Sequence, residues 1–329
     1  MPINEDLIMS MFDKISNIET AVAPQLPDIN FKEQSRQYIE SLRTDNRINT
    51  AICYARSLNR FCNFTTVCEV KNISRQLIQQ FFEEIMRTVS PDAAKAYCID
   101  LRALYNHCTR FLNSRPNPFA GLPLRRSLYR MHRNLTVQEL RRLAQADNLP
   151  PLAAFARDAF CLSFSLCGIN ICDLYDIKKP TDNILQYNRQ KTANRREDRA
   201  LQYIRINPTA AQFAARFLAA EGVRWLDWWQ RSRTERNLLK KINRGLKICA
   251  KWLNLPPTLS TYYARHTFAS IARNELNLDI FDISQALNHT PPSNTIDFIY
   301  IKPDHFKPSR IAEQVNEYCF GSTAAAAAV

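Results

Sequence analysis

The segment Leu259 to Ser270, LSTYYARHTFAS, carries side chains suited to handling an anion. Ser260 or Thr261 is placed to cap a helix, which sets Arg265 in its early turns. Tyr262 and Arg265 stand three residues apart, so on a helix they share a face and present a phenol and a guanidinium together. Arginine is always charged, and its planar fork can donate two hydrogen bonds to one oxyanion. A surface arginine beside an aromatic core residue would show the same spacing. Further bases recur elsewhere. Arg56, Arg60, Arg102 and Arg110 fall in helical patterns, where a shared face would follow a phosphate backbone. The polar stretch Asn188 to Arg199 holds Arg189, Lys191, Arg195 and Arg196.

The elements that must position these groups are mostly helices. Apolar residues recur at intervals of three and four in Ile48, Ile52, Ala55, Leu58 and Cys62, in Leu77 to Ile85, and in Tyr97 to Cys108. Ser90-Pro91-Asp92 has the form of a helix start with proline in the first turn, and residues 32 to 113 give a bundle of about four helices. Thr136-Val137-Gln138-Glu139 is a capping box opening a second domain. There helices are expected over about 136–146, 151–168, 208–222, 233–253, 260–274 and 280–287. Ile184 to Tyr187 and Leu201 to Ile206 alternate as strands and flank the basic stretch as a hairpin. The organisation is an arm over 1–28, a helical domain over 29–113, a basic linker over 114–134, a second domain over 135–320 and a low-complexity tail over 321–329. The linker reading rests on six arginines, Arg125 and Arg126 among them, with no acid between Arg110 and Arg133.

Composition narrows the function. The 329 residues carry 44 Lys+Arg against 31 Asp+Glu, a net charge of +13. The charge is −4 over residues 1–28, +9 over 29–134 and +8 over 135–329, so both domains are basic and suited to a polyanion held from two sides. Five glycines and no GxGxxG or Walker motif exclude the usual nucleotide-binding loops. Ten cysteines without a CxxC pair, most of them in apolar stretches, point to reduced, packed thiols rather than zinc ligands. The start MPINEDLIMSMFDK has no signal-peptide character, and no apolar run suits a membrane span, which leads to an expectation of a cytoplasmic protein.

Downstream of Arg265 come Leu287-Asn288-His289 and then Tyr300 within TIDFIYI. With Arg265-His266-Thr267-Phe268-Ala269, these features resemble the tyrosine recombinase (phage integrase) family, in particular integrases of bacterial mobile elements. That family shows R-H-T/S-x-A, then L-G-H, then a tyrosine, in this order. The resemblance takes in the helical first domain, the linker and the hairpin, and so covers roughly residues 30–315. It implies a mainly α fold: an N-terminal helical-bundle core-binding domain and a mixed, mostly helical catalytic domain with a small antiparallel hairpin. It places the nucleophile on Tyr300, the second catalytic arginine on Arg265, the late His/Trp position on His289 and the hairpin lysine on Lys191.

The chemistry that the resemblance implies needs these residue types. Phenolate attack on a phosphodiester gives a pentacoordinate, doubly charged transition state, which cationic donors stabilise. A lysine can protonate the departing 5′-oxygen. A phosphotyrosyl ester conserves the bond energy, so resealing needs no ATP, no metal and no other cofactor. Two positions depart from the family. Its first arginine sits in G-x-R-x-x-[DE]-L, whereas this chain has Gly168-Ile169-Asn170-Ile171-Cys172-Asp173-Leu174, with Asn170 at the arginine position. Its H-x-x-R histidine is replaced by Tyr262. A base from the hairpin, Arg189, Arg195 or Arg196, is the expected replacement for the charge that Asn170 lacks.

The expectation is therefore a site-specific DNA recombinase acting through a 3′-phosphotyrosyl intermediate. Its partner is double-stranded DNA, with a homotetramer assembled on it, accessory DNA-bending proteins, and nucleoid association when bound. The alternatives are a catalytically degenerate, recombinase-like DNA-binding protein and a type IB topoisomerase. An amphipathic segment after Tyr300, with Phe306, Ile311, Ala312, Val315 and Tyr318, would dock on a neighbouring protomer or pack in cis.

Overall fold

The computed structural model describes residues 28–112, 117–124, 133–289 and 304–324. Tyr300, Arg125 and Arg126 lie outside the described residues, as does the expected arm up to residue 27. The chain divides into two compact units, residues 1–130 and 131–329.

Among the described residues the first unit has four α-helices: α1 (Phe31–Thr44), α2 (Ile48–Phe64), α3 (Arg75–Met86) and α4 (Pro91–Cys108). Side-chain caps fix three of their starts. Asn30 accepts from the Glu33 N–H, Ser74 from Leu77 and Ser90 from Ala93, with Pro91 in the first turn of α4. The apolar faces meet around Phe61, whose ring packs edge-on against Phe31 at 5.9 Å and Phe81 at 5.3 Å. Part of the expected linker belongs to this core. Phe119 and Leu124 are buried, and Phe119 packs against Tyr105 at 6.0 Å. Two large apolar side chains outweigh the basic composition around them, so residues 117–124 pack within the stretch expected as a linker.

In the second unit the Thr136–Glu139 capping box opens α5 (Val137–Ala144). The central helix is α6 (Pro151–Ser165), buried along almost its whole length. It ends at Ser165 rather than at 168 because the chain turns through left-handed Cys167 (φ 58°) and Gly168 (φ 64°). The short α7 (Ile171–Tyr175) follows, then β1 (Ile184–Asn188) and β2 (Leu201–Arg205). These pair antiparallel from Ile184 opposite Arg205 to Asn188 opposite Leu201, as the alternation predicts. Helix α8 (Pro208–Ala214) is shorter than expected. After one 3-10 turn the chain folds back on itself, with Leu218 bridged to Leu226 and Gly222 at the bend.

The remaining helices are α9 (Trp228–Arg231), α10 (Glu235–Trp252), α11 (Thr261–Asn274), α12 (Ile280–Ala286) and α13 (Lys307–Ala324). Helix α10 lies directly on α6. A Cβ on Gly245 would stand 2.4 Å from the Leu152 carbonyl oxygen and 2.5 Å from the Ala156 Cβ, so only glycine permits that approach. Helix α13 packs in cis, burying Ile311, Ala312, Val315 and Cys319 in the core of its own unit, while Phe306 and Tyr318 stay exposed.

All ten thiols are free and six are buried. Burial pushes Cys98 and Cys167 up to about 12, which suits inert packing groups. No described helix is long and apolar enough to cross a membrane. No group of three His, Cys, Asp or Glu among the described residues could hold a metal ion.

Candidate functional site

The second unit gathers its cations at the C-terminal end of α12. Helix α11 begins at Thr261, and Ser260 stands at its N-cap without a side-chain bond. Asn243 of α10 accepts the Thr261 N–H instead, at 2.9 Å, so a neighbouring helix supplies the cap. Arg265 then lies on the buried side of α11, 7% exposed, whereas Tyr262 is 46% exposed. The two do not present themselves equally, as a shared face would suggest. The Tyr262 ring stands edge-on to His266 at 4.6 Å.

The turn at Gly168 makes room for Arg265. A Cβ at Gly168 would lie 2.5 Å from the Arg265 Cα, and the Gly168 carbonyl accepts from Arg265 Nη1 at 3.3 Å. Arg265 Nη2 donates to the Leu287 carbonyl. The next two carbonyls are also taken by arginines. Asn288 O accepts from Arg189 Nη1 at 2.8 Å, and His289 O accepts from Arg196 Nη1 at 3.1 Å. Exposed carbonyls at a helix C-terminus carry partial negative charge and attract cations. Three guanidiniums from α11 and the hairpin thus seat on consecutive carbonyls; Arg196 is also paired with Asp198, whereas these neutral acceptors leave the charge of Arg265 and Arg189 without an ion-pair partner among the described residues.

Asn288, where the family has glycine, ties the hairpin to this point. It is buried, in a left-handed conformation (φ 49°) that asparagine tolerates. Its Nδ2 donates to the Ala200 carbonyl at 2.8 Å, and its Oδ1 accepts from Arg196 Nη1 at 2.8 Å. On the other side Asp173 holds the hairpin base, accepting from the Gln190 N–H at 2.9 Å and from Asn170 Nδ2 at 3.3 Å. Burial raises the Asp173 carboxyl above its ordinary range, against the opposing pull of these two donors and of Arg189 and Arg265. Asn170 is thus half-buried and engaged with Asp173.

The electrostatics are those of a cationic basin. Burial, then Arg189, lowers the Arg265 pKa to about 10, which leaves it charged at neutral pH. Removal of the ring from water, then Arg265, Arg189 and Lys191, push His289 down to about 4. The residue keeps part of its surface in water, and the field of the three cations adds to the loss of water around the ring. Its imidazole is neutral at pH 7 and can donate a hydrogen bond without adding charge. Lys191 is exposed on the hairpin turn. No described carboxylate forms an ion pair with Arg189 or Arg265.

The site residues expected from the sequence divide accordingly. Arg265, His289, Lys191, Arg189 and Arg196 come together, with Tyr262 and Asn170 at the margin. Arg195 is exposed. In the first unit Arg56 lies over the Tyr97 ring at 4.8 Å, and Arg60 donates to Thr88 at 2.7 Å. Arg110 donates to the His107 carbonyl at 2.8 Å, and Arg102 is exposed.

Sequence reasoning placed a helix over 233–253 but missed the basic face of α10. Arg236, Lys240, Arg244, Lys247 and Lys251 recur every three or four residues along it, all exposed and none in an ion pair among the described residues. The signal was six bases against one acid in 18 residues. Asn288 and Asp173 were visible only as motif letters.

No protein-family model matches the sequence, and no curated protein matches it. Solved structures do. One is a lambda integrase tetramer bound to a Holliday junction, with a TM-score of 0.57 and 14% identity over 91% of this chain and 92% of that one. Another is the Tn1549 transposon integrase in complex with transposon right end DNA (TM-score 0.55, 16% identity, 87% of this chain and 99% of that one). A third is the XerH site-specific recombinase bound to difH substrate (TM-score 0.51, 14% identity, 93% and 88%). The chain has the tyrosine recombinase fold.

Proposed function

We propose that this protein is a site-specific DNA recombinase of the integrase type, which cuts and rejoins strands through a phosphotyrosyl intermediate. One observation carries the reading. Arg265 and Arg189, both buried, converge with Lys191 and His289, and no described carboxylate forms an ion pair with either arginine. Buried like charges are costly unless an anion joins them, and a scissile phosphate is that anion.

In the proposed reaction the Tyr300 oxygen bonds to phosphorus as the bond to the 5′-oxygen breaks. The phenol proton passes to solvent and Lys191 gives one to the leaving 5′-oxygen, so protons balance through water and no oxidant or reductant takes part. Arg265 stabilises the nonbridging oxygens and His289 donates to one of them. The exposed bases of α10 follow the duplex backbone, and the arginines of the first unit hold the same polyanion. Four protomers serve two duplexes, since reciprocal exchange breaks four strands.

A nicked suicide duplex carrying the DNA that flanks the gene tests this. The expected product is a covalent protein–DNA adduct that survives denaturant and is absent in Tyr300→Phe. Asn170 and Tyr262 favour a second reading, a DNA-binding protein that has lost catalysis, and binding without an adduct would support it. Relaxation of supercoils without recombinant products would point to a topoisomerase.

A further inference from the structure

Asn170 is neutral and already bonded to Asp173, so the turn before α7 contributes no charge to the basin. Three hairpin arginines could supply it, and their surroundings differ. Arg195 is exposed. Arg196 is spent on Asp198, Asn288 and the His289 carbonyl, which makes it a strut. Arg189 is 7% exposed, and only its Nη1 is bonded, to the Asn288 carbonyl at 2.8 Å. Its Nε is buried with no partner, and Nη2 has no hydrogen bond to a described residue. The Nε–Nη2 edge is the side of a guanidinium that forks onto two oxygens of one phosphate. Leaving a buried charged donor unsatisfied is among the more expensive arrangements in a protein interior.

We propose that Arg189 supplies the second guanidinium that grips the reacting phosphate, replacing from the hairpin the charge that Asn170 does not provide. Its Nη1 is fixed by the carbonyl next to the one that fixes Arg265, so the two forks are registered on consecutive residues of one helix end. The backbone supports this, since the Arg189 N–H donates to Ala200 O at 3.1 Å and the adjacent Gln190 N–H to Asp173. The assignment rests on the recombinase reading for the identity of the anion, whereas the empty fork is a property of the chain itself.

The test compares the full-length wild type with Arg189→Ala on two suicide duplexes. One carries the natural scissile phosphate and the other a methylphosphonate, which lacks one nonbridging charge. On the natural phosphate Arg189→Ala is expected to lose about 10²–10³ in adduct rate, the usual effect of removing one transition-state donor. Its affinity for the duplex should stay within a few-fold of wild type, because the bases of α10 remain. On the methylphosphonate the gap should shrink markedly, since one cation fewer is then needed. Equal losses on both substrates would make Arg189 a structural strut and overturn the proposal, as would a wild-type rate in Arg189→Ala.

A second measurement does not depend on cleavage. Titration with inorganic sulfate, followed by the His289 imidazole NMR signal, should give a saturable shift in the wild type that Arg189→Ala lacks. If the wild type forms no adduct, the recombinase reading fails, yet this titration still decides the anion fork. A wild-type response indifferent to Arg189, or no response, overturns it.

Discussion

Gly168→Ala offers the sharpest test of how the fold builds the basin. At this position a side chain meets two separate penalties. The backbone sits at φ 64°, where an L-residue costs roughly 1–2 kcal/mol. The added methyl would also stand 2.5 Å from the Arg265 Cα and 2.9 Å from its Cβ. Relief of such overpacking costs about 1–3 kcal/mol and must displace either the turn or α11. Gly222 is the internal control. It has φ 83°, and a Cβ there meets nothing within 4 Å, so Gly222→Ala carries the backbone penalty alone. Both changes also remove the same unfolded-state freedom, which cancels in the comparison. The difference, about 1–3 kcal/mol, corresponds to roughly 2–12 °C in Tm for a unit of this size. Thermal unfolding by circular dichroism measures it, and the adduct assay should show Gly168→Ala far below Gly222→Ala at equal duplex affinity. Equal melting temperatures and equal adduct rates for the two variants would refute the idea that the turn is built around Arg265.

Other consequences are as direct. His289 should titrate in NMR far below an ordinary histidine, near the value of about 4 set by desolvation and by Arg265, Arg189 and Lys191, and Arg189→Ala should raise it. The depressed pKa means that the unfolded chain binds the proton first. The contribution of His289 to stability is therefore complete above about 6.5 and declines as pH falls toward 4, which denaturant melts across that window would register against His289→Gln. Replacing both Lys240 and Arg244 of α10 by glutamine should flatten the slope of log affinity against log salt by about 2, at roughly 0.9 for each phosphate no longer neutralised. An unchanged slope would remove α10 from the interface. Asn288→Gly should cost about 0.5–1.5 kcal/mol by removing one of the two donors to Ala200 O and an acceptor of Arg196, and hydrogen exchange should speed up in the 189–200 turn rather than in the core helices.

The sequence determined what is local in this protein. Three-and-four periodicity, the Thr136–Glu139 box, Ser90-Pro91 and the two alternating runs specify helices and a hairpin close to where they stand, because those signals act within a few residues. Even the errors at helix ends have local causes, such as the left-handed turn at Cys167 and Gly168. The order of Arg265, His289 and Tyr300 was legible for the same reason, as a pattern of letters.

Only tertiary structure decided which cations matter. Arg189, Arg195 and Arg196 are indistinguishable as letters within one basic turn. Their fates depend on Asn288, 99 residues from Arg189. Burial without a counter-charge, which singles out Arg189, is a relation among β1, α7, α11 and α12, and no single element contains it. The start of α11, capped by Asn243 of α10, and the place of Phe119 and Leu124 in a core, within a stretch of basic composition, are further cases. Periodicity reports which face of an element is apolar. Packing alone fixes what that face meets, and so which charges lose their water and which keep it.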